Sequence, residues 1–382
     1  MKKLIYLDAA ATSLHRPESV EQAVLQAMRT LGNSGRGTSE TALDAARMIY
    51  GTREKIAGLF HYPQPERVAF TKNSTEALNM AILGLFAPGE HVITTVLEHN
   101  SVLRPLYHLQ QAGLELTVIP CDEQGYPDYA AMEQAVRKNT KGIVCTHASN
   151  LTGNLVDVHR VGTIARNHGL IFVLDASQSA GVFPIDMEED HIDVVCFTGH
   201  KSLMGPQGTG GLCVKKGIDI RPLCVGGSGI RTFEKDHPKE MPVRLEAGTL
   251  NAHGLAGLHA GLEYIQEKGL DGIRKKEQAL ARTFYEGVKT IPGIKFYGDF
   301  STWERAPIVA LNFADYDSAV FSDELMEGYN IATRAGGHCA PLMHEFFGTV
   351  EQGAVRFSFS CFNRMEEIET AVSAVRAICR EG

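Results

Sequence analysis

The chain has no long apolar run, no basic tract and no paired cysteines, and each absence removes a class of protein. No apolar stretch approaches the roughly 18 residues that a membrane-crossing helix requires. Lys and Arg number 37 against 45 Asp and Glu, a net charge of −8. Neutralising nucleic-acid phosphates needs clustered basic residues, so nucleic acid is not expected as a partner. The eight cysteines, at 121, 145, 196, 213, 224, 339, 361 and 379, form no CxxC pair. Their scatter argues against a metal site or a disulfide framework and suits a reducing cytoplasm with mostly buried thiols. The opening MKKLIYLDAAATS is interrupted by Asp8, which leaves too short an apolar centre for a signal peptide. Internal repeats and low-complexity tracts are missing as well. A cytoplasmic protein without membrane association is the expectation.

What is present is the balance of a soluble globular protein, 44% hydrophobic and 21% charged, in 382 residues, enough for about two domains. From about residue 65 to 215, short apolar runs alternate with stretches of helical spacing. The runs are RVAFT, HVITTV, GIVCTHAS, LIFVLDAS, VVCFTG and GGLCVK, and the intervening stretches include STEALNMAILGLF and DVHRVGTIARNHG. This alternation predicts an α/β fold with a mostly parallel sheet covered by helices on both faces. Residues 217–250 read as loop. Beyond them, two amphipathic helices and a strand–helix alternation predict a smaller α+β domain. The expected division is 15–250 and 251–382, with segment 1–14 associated with the smaller part.

In such sheets chemistry gathers beyond the carboxyl ends of the strands, and there this chain places polar residues. Ser74 and Thr75 open a helix, where a cap is the ordinary role but free N–H groups also cradle phosphate. His99 and Asn150 follow two other strands. Asp175 ends LIFVLDAS, with Gln178 three residues on, and a buried carboxyl needs a partner. Thr198, His200 and Lys201 follow VVCFTG. A half-buried lysine loses solvation, its pKa falls, and its amine becomes a nucleophile able to form a Schiff base. The glycines after it would let backbone approach a bound group. Singly, Asp175 reads as a turn cap and Lys201 as a solvated charge. In order, with an anion cradle, they suggest pyridoxal phosphate, which needs an imine-forming lysine, an acid at its ring nitrogen and a phosphate site.

The motifs YLDAAATS, NSTEALN, LEHNS, SNLTGN, LDASQSAG, TGHKSLMGPQGTGGL, EAGTLN, TRAGGHCAP and VRFSFSCFN resemble, in this order, the class V aminotransferase-like pyridoxal phosphate enzymes. Within these, the chain is similar to the cysteine desulfurases and selenocysteine lyases. The resemblance implies the fold type I architecture of pyridoxal phosphate enzymes, with a large and a small domain. It implies Lys201 as the Schiff-base lysine, Asp175 at the pyridinium nitrogen, Gln178 at the phenolic oxygen and His99 on the ring face. Ser74, Thr75, Thr198 and His200 would hold the phosphate, with Thr249 reaching it from a neighbouring subunit of a homodimer. Asn150 and Arg356 would meet the substrate carboxylate, Arg356 as a bidentate partner. Arg36 and Arg334 match positions at the mouth of the site, although Arg36 reads equally well as a solvated loop charge.

The discriminating residue is Cys339, in RAGGHCAPL. Cysteine is commonly a small buried hydrophobe, and the other seven are expected to be so. Cys339 lies instead among Gly336, Gly337, His338 and Pro341, where His338 or Arg334 would favour its thiolate. In the related desulfurases the matching cysteine takes the substrate sulfur as a persulfide. The short RxGxHC setting is similar to the group II branch, which includes the selenocysteine lyases. Members of that branch often have histidine where this chain has Gly337. The implied activity is conversion of L-cysteine to L-alanine, with the sulfur passed from Cys339 to an acceptor protein or a reductant. The alternatives are a lyase acting on L-selenocysteine and a class V transaminase or epimerase acting on another amino acid.

Overall fold

The computed structural model describes residues 3–34 and 38–381. In chain order its strands are β1 (Ile5–Tyr6), β2 (Val68–Thr71), β3 (His91–Thr95), β4 (Glu115–Ile119), β5 (Thr140–Thr146), β6 (Ile171–Asp175), β7 (Val194–Thr198), β8 (Gly210–Val214), β9 (Ile294–Tyr297), β10 (Ile308–Phe313), β11 (Ile331–Ala332) and β12 (Val355–Ser358). Its α-helices are α1 (Glu18–Thr30), α2 (Glu40–Leu59), α3 (Ser74–Leu85), α4 (Asn100–Gln111), α5 (Tyr129–Gln134), α6 (Val158–Asn167), α7 (Ala252–Lys268), α8 (Leu270–Val288), α9 (Ser318–Tyr329), α10 (Pro341–Phe347) and α11 (Met365–Glu381). No helix among the described residues is long and apolar enough to cross a membrane.

Seven strands form one sheet in the order β2-β8-β7-β6-β5-β3-β4. The neighbours from β7 through β6, β5 and β3 to β4 are parallel. β8 runs antiparallel to both β7 and β2, so GGLCVK is the one reversed strand. All five residues of each of β3, β7 and β8 are buried, as strands covered on both faces must be. Leu255, Leu258, Leu262 and Ile265 of α7 join Ile56 of α2 and Phe197 of β7 in the core on one face. On the other face α3 and α4 supply Leu78, Ile82, Val102 and Leu106.

A second sheet, β12-β10-β9, is antiparallel. Phe284 of α8, Phe321 of α9 and Ile368 of α11 cover it, with Val309, Leu311 and Phe357 of the sheet itself. The N-terminal segment binds both bodies. β1 pairs in parallel with β11, Ala10 N–H donates to Ser358 Oγ at 2.9 Å, and Ser13 N–H donates to the His200 carbonyl at 3.0 Å.

Candidate active site

The register of the large sheet aligns the ends of its central strands. Thr146 of β5 stands opposite Asp175 of β6, and β7 ends beside them at Thr198. The chain changes direction here, since β3 leads outward to β4 and then back across to β5. That reversal opens a crevice at the strand ends. A cavity of about 240 Å³ fills it, lined by Ser74, Thr75, His99, Asn150, Asp175, Gln178, His200, Lys201, Arg334 and Arg356, with His338 and Ala10 among the other walls. Ten of the sequence-derived residues thus meet in one place. Thr198 is not among the lining residues but ends β7 two positions before His200, and Cys339 follows directly on the lining residue His338. Thr249 is exposed and lines a different cavity, with Asn33, Ser34 and Gly227. Arg36 lies outside the described residues.

Each wall has a local cause. Asn73 caps α3 by accepting the Glu76 N–H at 2.9 Å, which leaves the N–H groups of Ser74 and Thr75 in the first turn with no helical partner. His99 caps α4: its Nδ1 accepts the Ser101 N–H at 3.0 Å and lies 2.9 Å from the Ser101 hydroxyl. That oxygen is in turn 2.8 Å from the hydroxyl of Thr75. Burial, against the pull of Asp175, lowers the His99 pKa to about 4, so the ring is neutral with its proton on Nε2. Burial likewise lowers His200 to about 4, and its Nδ1 is 3.0 Å from the Thr12 hydroxyl.

Asp175 is 3% exposed. Its carboxyl accepts the Ser177 N–H at 3.0 Å and the Ser177 hydroxyl, and it has no ion pair among the described residues. Gln178 Nε2 donates to the Ala10 carbonyl at 3.1 Å. Burial, opposed by the attraction of Asp175, lowers the Lys201 amine to about 8. Arg356, on β12 and 2% exposed, donates from Nη1 to the Asn150 carbonyl and from Nη2 to Asp8 Oδ1, each at 2.9 Å. Its Nε is buried with no partner among the described residues. Asn150 Nδ2 donates to the His338 carbonyl at 2.7 Å.

Cys339 is exposed and stands on a tight turn. Ala340 N–H closes onto the Gly337 carbonyl at 2.9 Å, and both central residues have positive φ, His338 at 48° and Cys339 at 56°. Cysteine is not a residue that favours this region, so the turn holds strain of the kind found at functional sites. The Cys339 carbonyl accepts the Asn100 N–H at 2.8 Å, which fastens the turn to the start of α4. His338 donates from Nε2 to the Ala354 carbonyl at 2.9 Å, and burial lowers its pKa to about 3. It is therefore neutral and supplies no positive charge beside Cys339.

Two expectations need correction. The glycines after Lys201 do not line the cavity: a Cβ on Gly210 would stand 2.7 Å from the Asn73 backbone, and one on Gly211 would strike the Ala69 carbonyl. They serve the close packing of β8 against its neighbours. Of the seven other cysteines, 145, 196, 213 and 361 are buried and 121 and 379 half-buried, but Cys224 is exposed, because it sits in the long loop after β8. Residues not foreseen at the site are Ser101, Ser177 and Asp8. Ser101 and Ser177 each lie two residues after a predicted site residue, the spacing of a side chain that closes a turn.

These residues fit pyridoxal phosphate. Asp175 is a buried carboxyl and the Thr198 hydroxyl is buried, the first without an ion pair and the second without a hydrogen-bond partner among the described residues, and the α3 N-terminus offers free N–H groups to an anion. Lys201, with its lowered pKa, lines the same cavity. Fold and site together define a class of enzyme, and residues 5–370 match the aminotransferase class V family. The chain belongs to that family, whose members are pyridoxal phosphate enzymes. It is 33% identical to a probable cysteine desulfurase of Methanothermobacter thermautotrophicus, over 99% of this chain and 95% of that one. It is 31% identical to the cysteine desulfurase CsdA of Escherichia coli, over 97% and 93%. The apo structure of a cysteine desulfurase from Thermococcus onnurineus superposes with a TM-score of 0.92 at 32% identity, over 99% of this chain and 95% of that one.

Proposed function

We propose that the chain is a pyridoxal phosphate-dependent cysteine desulfurase that moves sulfur from L-cysteine onto Cys339 and releases L-alanine. The observation that carries this reading is an exposed cysteine on a strained turn, next in sequence to a wall of the cavity that holds Lys201, Asp175, His99 and Arg356. Ser74, Thr75, Thr198 and His200 would hold the phosphate, Asp175 the ring nitrogen, Gln178 the phenolic oxygen and His99 the ring face. Bound there, the cofactor supplies an electron sink for a carbanion at the substrate α-carbon.

Arg356 and Asn150 bind the substrate carboxylate. Among the described residues Arg356 uses one N–H of each Nη, which leaves the second N–H of each for a ligand. An amine whose pKa is near 8 is about one-tenth free base at pH 7 and about half at pH 8, far more than an ordinary lysine, so Lys201 is suited to take the α-proton and return one. The thiolate of Cys339 bonds to the substrate sulfur as the carbon–sulfur bond breaks, leaving a persulfide on Cys339. The outer sulfur then passes to an acceptor protein or a small thiol, and Cys339 leaves as thiolate. The short turn at Gly337–Ala340, in place of a long loop, supports the group II branch. The exposure of Thr249, away from its own chain's site, supports a homodimer in which it serves the partner's cofactor.

The test is alanine release from L-cysteine, with a thiol reductant, by wild type and Cys339→Ala, after both are shown to hold the cofactor. Release by wild type and its loss in the variant support the reading. Equal release by both would sink it.

A further inference from the structure

Behind the site lies a buried carboxyl to which the reaction gives no role. Glu98 immediately precedes His99 and is fully buried. One of its oxygens joins two walls of the cavity: Oε1 accepts the Thr95 hydroxyl at 2.6 Å and the Thr146 N–H at 3.2 Å. The Thr95 oxygen also accepts the Leu97 N–H at 3.2 Å, so the first bond closes the turn from β3 to α4 that carries His99. The second fixes the end of β5 where Thr146 stands in register with Asp175. The Thr146 hydroxyl continues this bracing by donating to the Ala148 carbonyl at 2.9 Å, and both residues line the cavity.

We propose that Glu98 is a positioning residue for the cofactor slot, a buried bridge that sets the spacing between His99 on one wall and Asp175 on the other. The second oxygen shows the form in which it works. Oε2 is buried without a partner among the described residues, and a carboxylate there would be an unpaired buried charge. The ionisable groups facing it are Asp175 on β6 and Cys145 on β5, with His99 next in the chain. Neither Asp175 nor Cys145 compensates a negative charge. Burial raises Glu98 to about 8, so at neutral pH it is a carboxylic acid, which bridges the walls and adds no second negative charge beside Asp175.

The inference rests on the cofactor slot of the family and not on which amino acid is turned over. A wild type that binds the cofactor but releases no alanine would defeat the desulfurase reading and leave this one intact. The experiment uses wild type, Glu98→Gln and Glu98→Ala, each freed of cofactor and titrated with pyridoxal phosphate. Glutamine keeps an acceptor oxygen and a polar hydrogen, so its affinity should stay close to that of wild type. Alanine removes the bridge and leaves the Thr146 N–H unpaired, which should weaken binding about tenfold. Equal affinity of Glu98→Ala and wild type, or a Gln variant as weak as the Ala variant, overturns the proposal. Should the Ala variant fail to fold, the melting temperatures of cofactor-free wild type and Glu98→Gln between pH 6 and 8 decide. An acid that keeps its proton when folded releases it on unfolding in this range, so wild type should fall behind the Gln variant as pH rises. Parallel curves would refute the protonated bridge.

Discussion

Replacing Arg356 with lysine keeps the charge and removes the geometry, so it isolates what the guanidinium does. In the structure the two Nη groups point in different directions, to the Asn150 carbonyl and to Asp8. A lysine ammonium is a single point with three donors and cannot reach both while also meeting two carboxylate oxygens. The variant should therefore lose about one charge-assisted hydrogen bond to the substrate, about 1.5–3 kcal/mol, or about 10- to 150-fold in kcat/KM. Such a contact would be made both before and during the reaction, so the loss should fall on KM, with kcat changed little. The assay is alanine release against L-cysteine concentration, with carboxylate-free cysteamine compared as a competing ligand. Wild type should prefer cysteine over cysteamine by a margin that shrinks in Arg356→Lys. A variant that loses less than about threefold, or keeps the full preference while folded, would refute the assignment of Arg356 to the carboxylate.

Two further predictions concern stability. Arg53 and Glu246 form a bidentate pair at 2.7 Å with both side chains 6% exposed, and Glu246 also accepts the Phe70 N–H at 2.7 Å. Glu246→Ala strands a buried guanidinium and should cost about 3–5 kcal/mol in urea unfolding; a loss below about 1 kcal/mol would show that the pair is not sealed from water. Glu277 is buried with one oxygen unpartnered, and burial raises its carboxyl to about 8. It is protonated when folded and ionised when unfolded between about pH 4.5 and 8, so its contribution declines as pH rises through that window, by up to about 1.4 kcal/mol per pH unit. Glu277→Gln should gain on wild type in melting temperature from pH 5.5 to 7.5, and an unchanged gap would refute the burial argument.

The runs that are easiest to read as strands are those buried on both faces. HVITTV, LIFVLDAS and VVCFTG lie within or overlap β3, β6 and β7, because a strand without a wet side carries no alternation and reads as a continuous apolar block. The same property hid the direction of β8. A buried strand has the same composition whether its neighbours are parallel or antiparallel, and only the connection tells them apart. β4 escaped notice for the opposite reason: it is an edge strand whose Glu115 is exposed and whose middle is only half-buried, so its apolar signal is diluted. β1 and β11 have two residues each, too few for any periodicity.

The site divides along a different line. Asp175, Lys201 and His99 were legible because each is a polar residue placed where a buried strand has just ended, which packing alone does not request. Asp8 was not. Its role is to hold the Arg356 guanidinium from 348 positions away, a pairing created when the N-terminal segment lies down between the two sheets. Glu98 was hidden by its neighbour, since in LEHNS the histidine draws the eye and the glutamate reads as a solvated turn residue until burial is known. Groups that touch a ligand must sit at special places in the chain pattern, and so leave a trace in the sequence. Groups that hold those in place need only meet them in space, and any two segments the fold brings together can supply them.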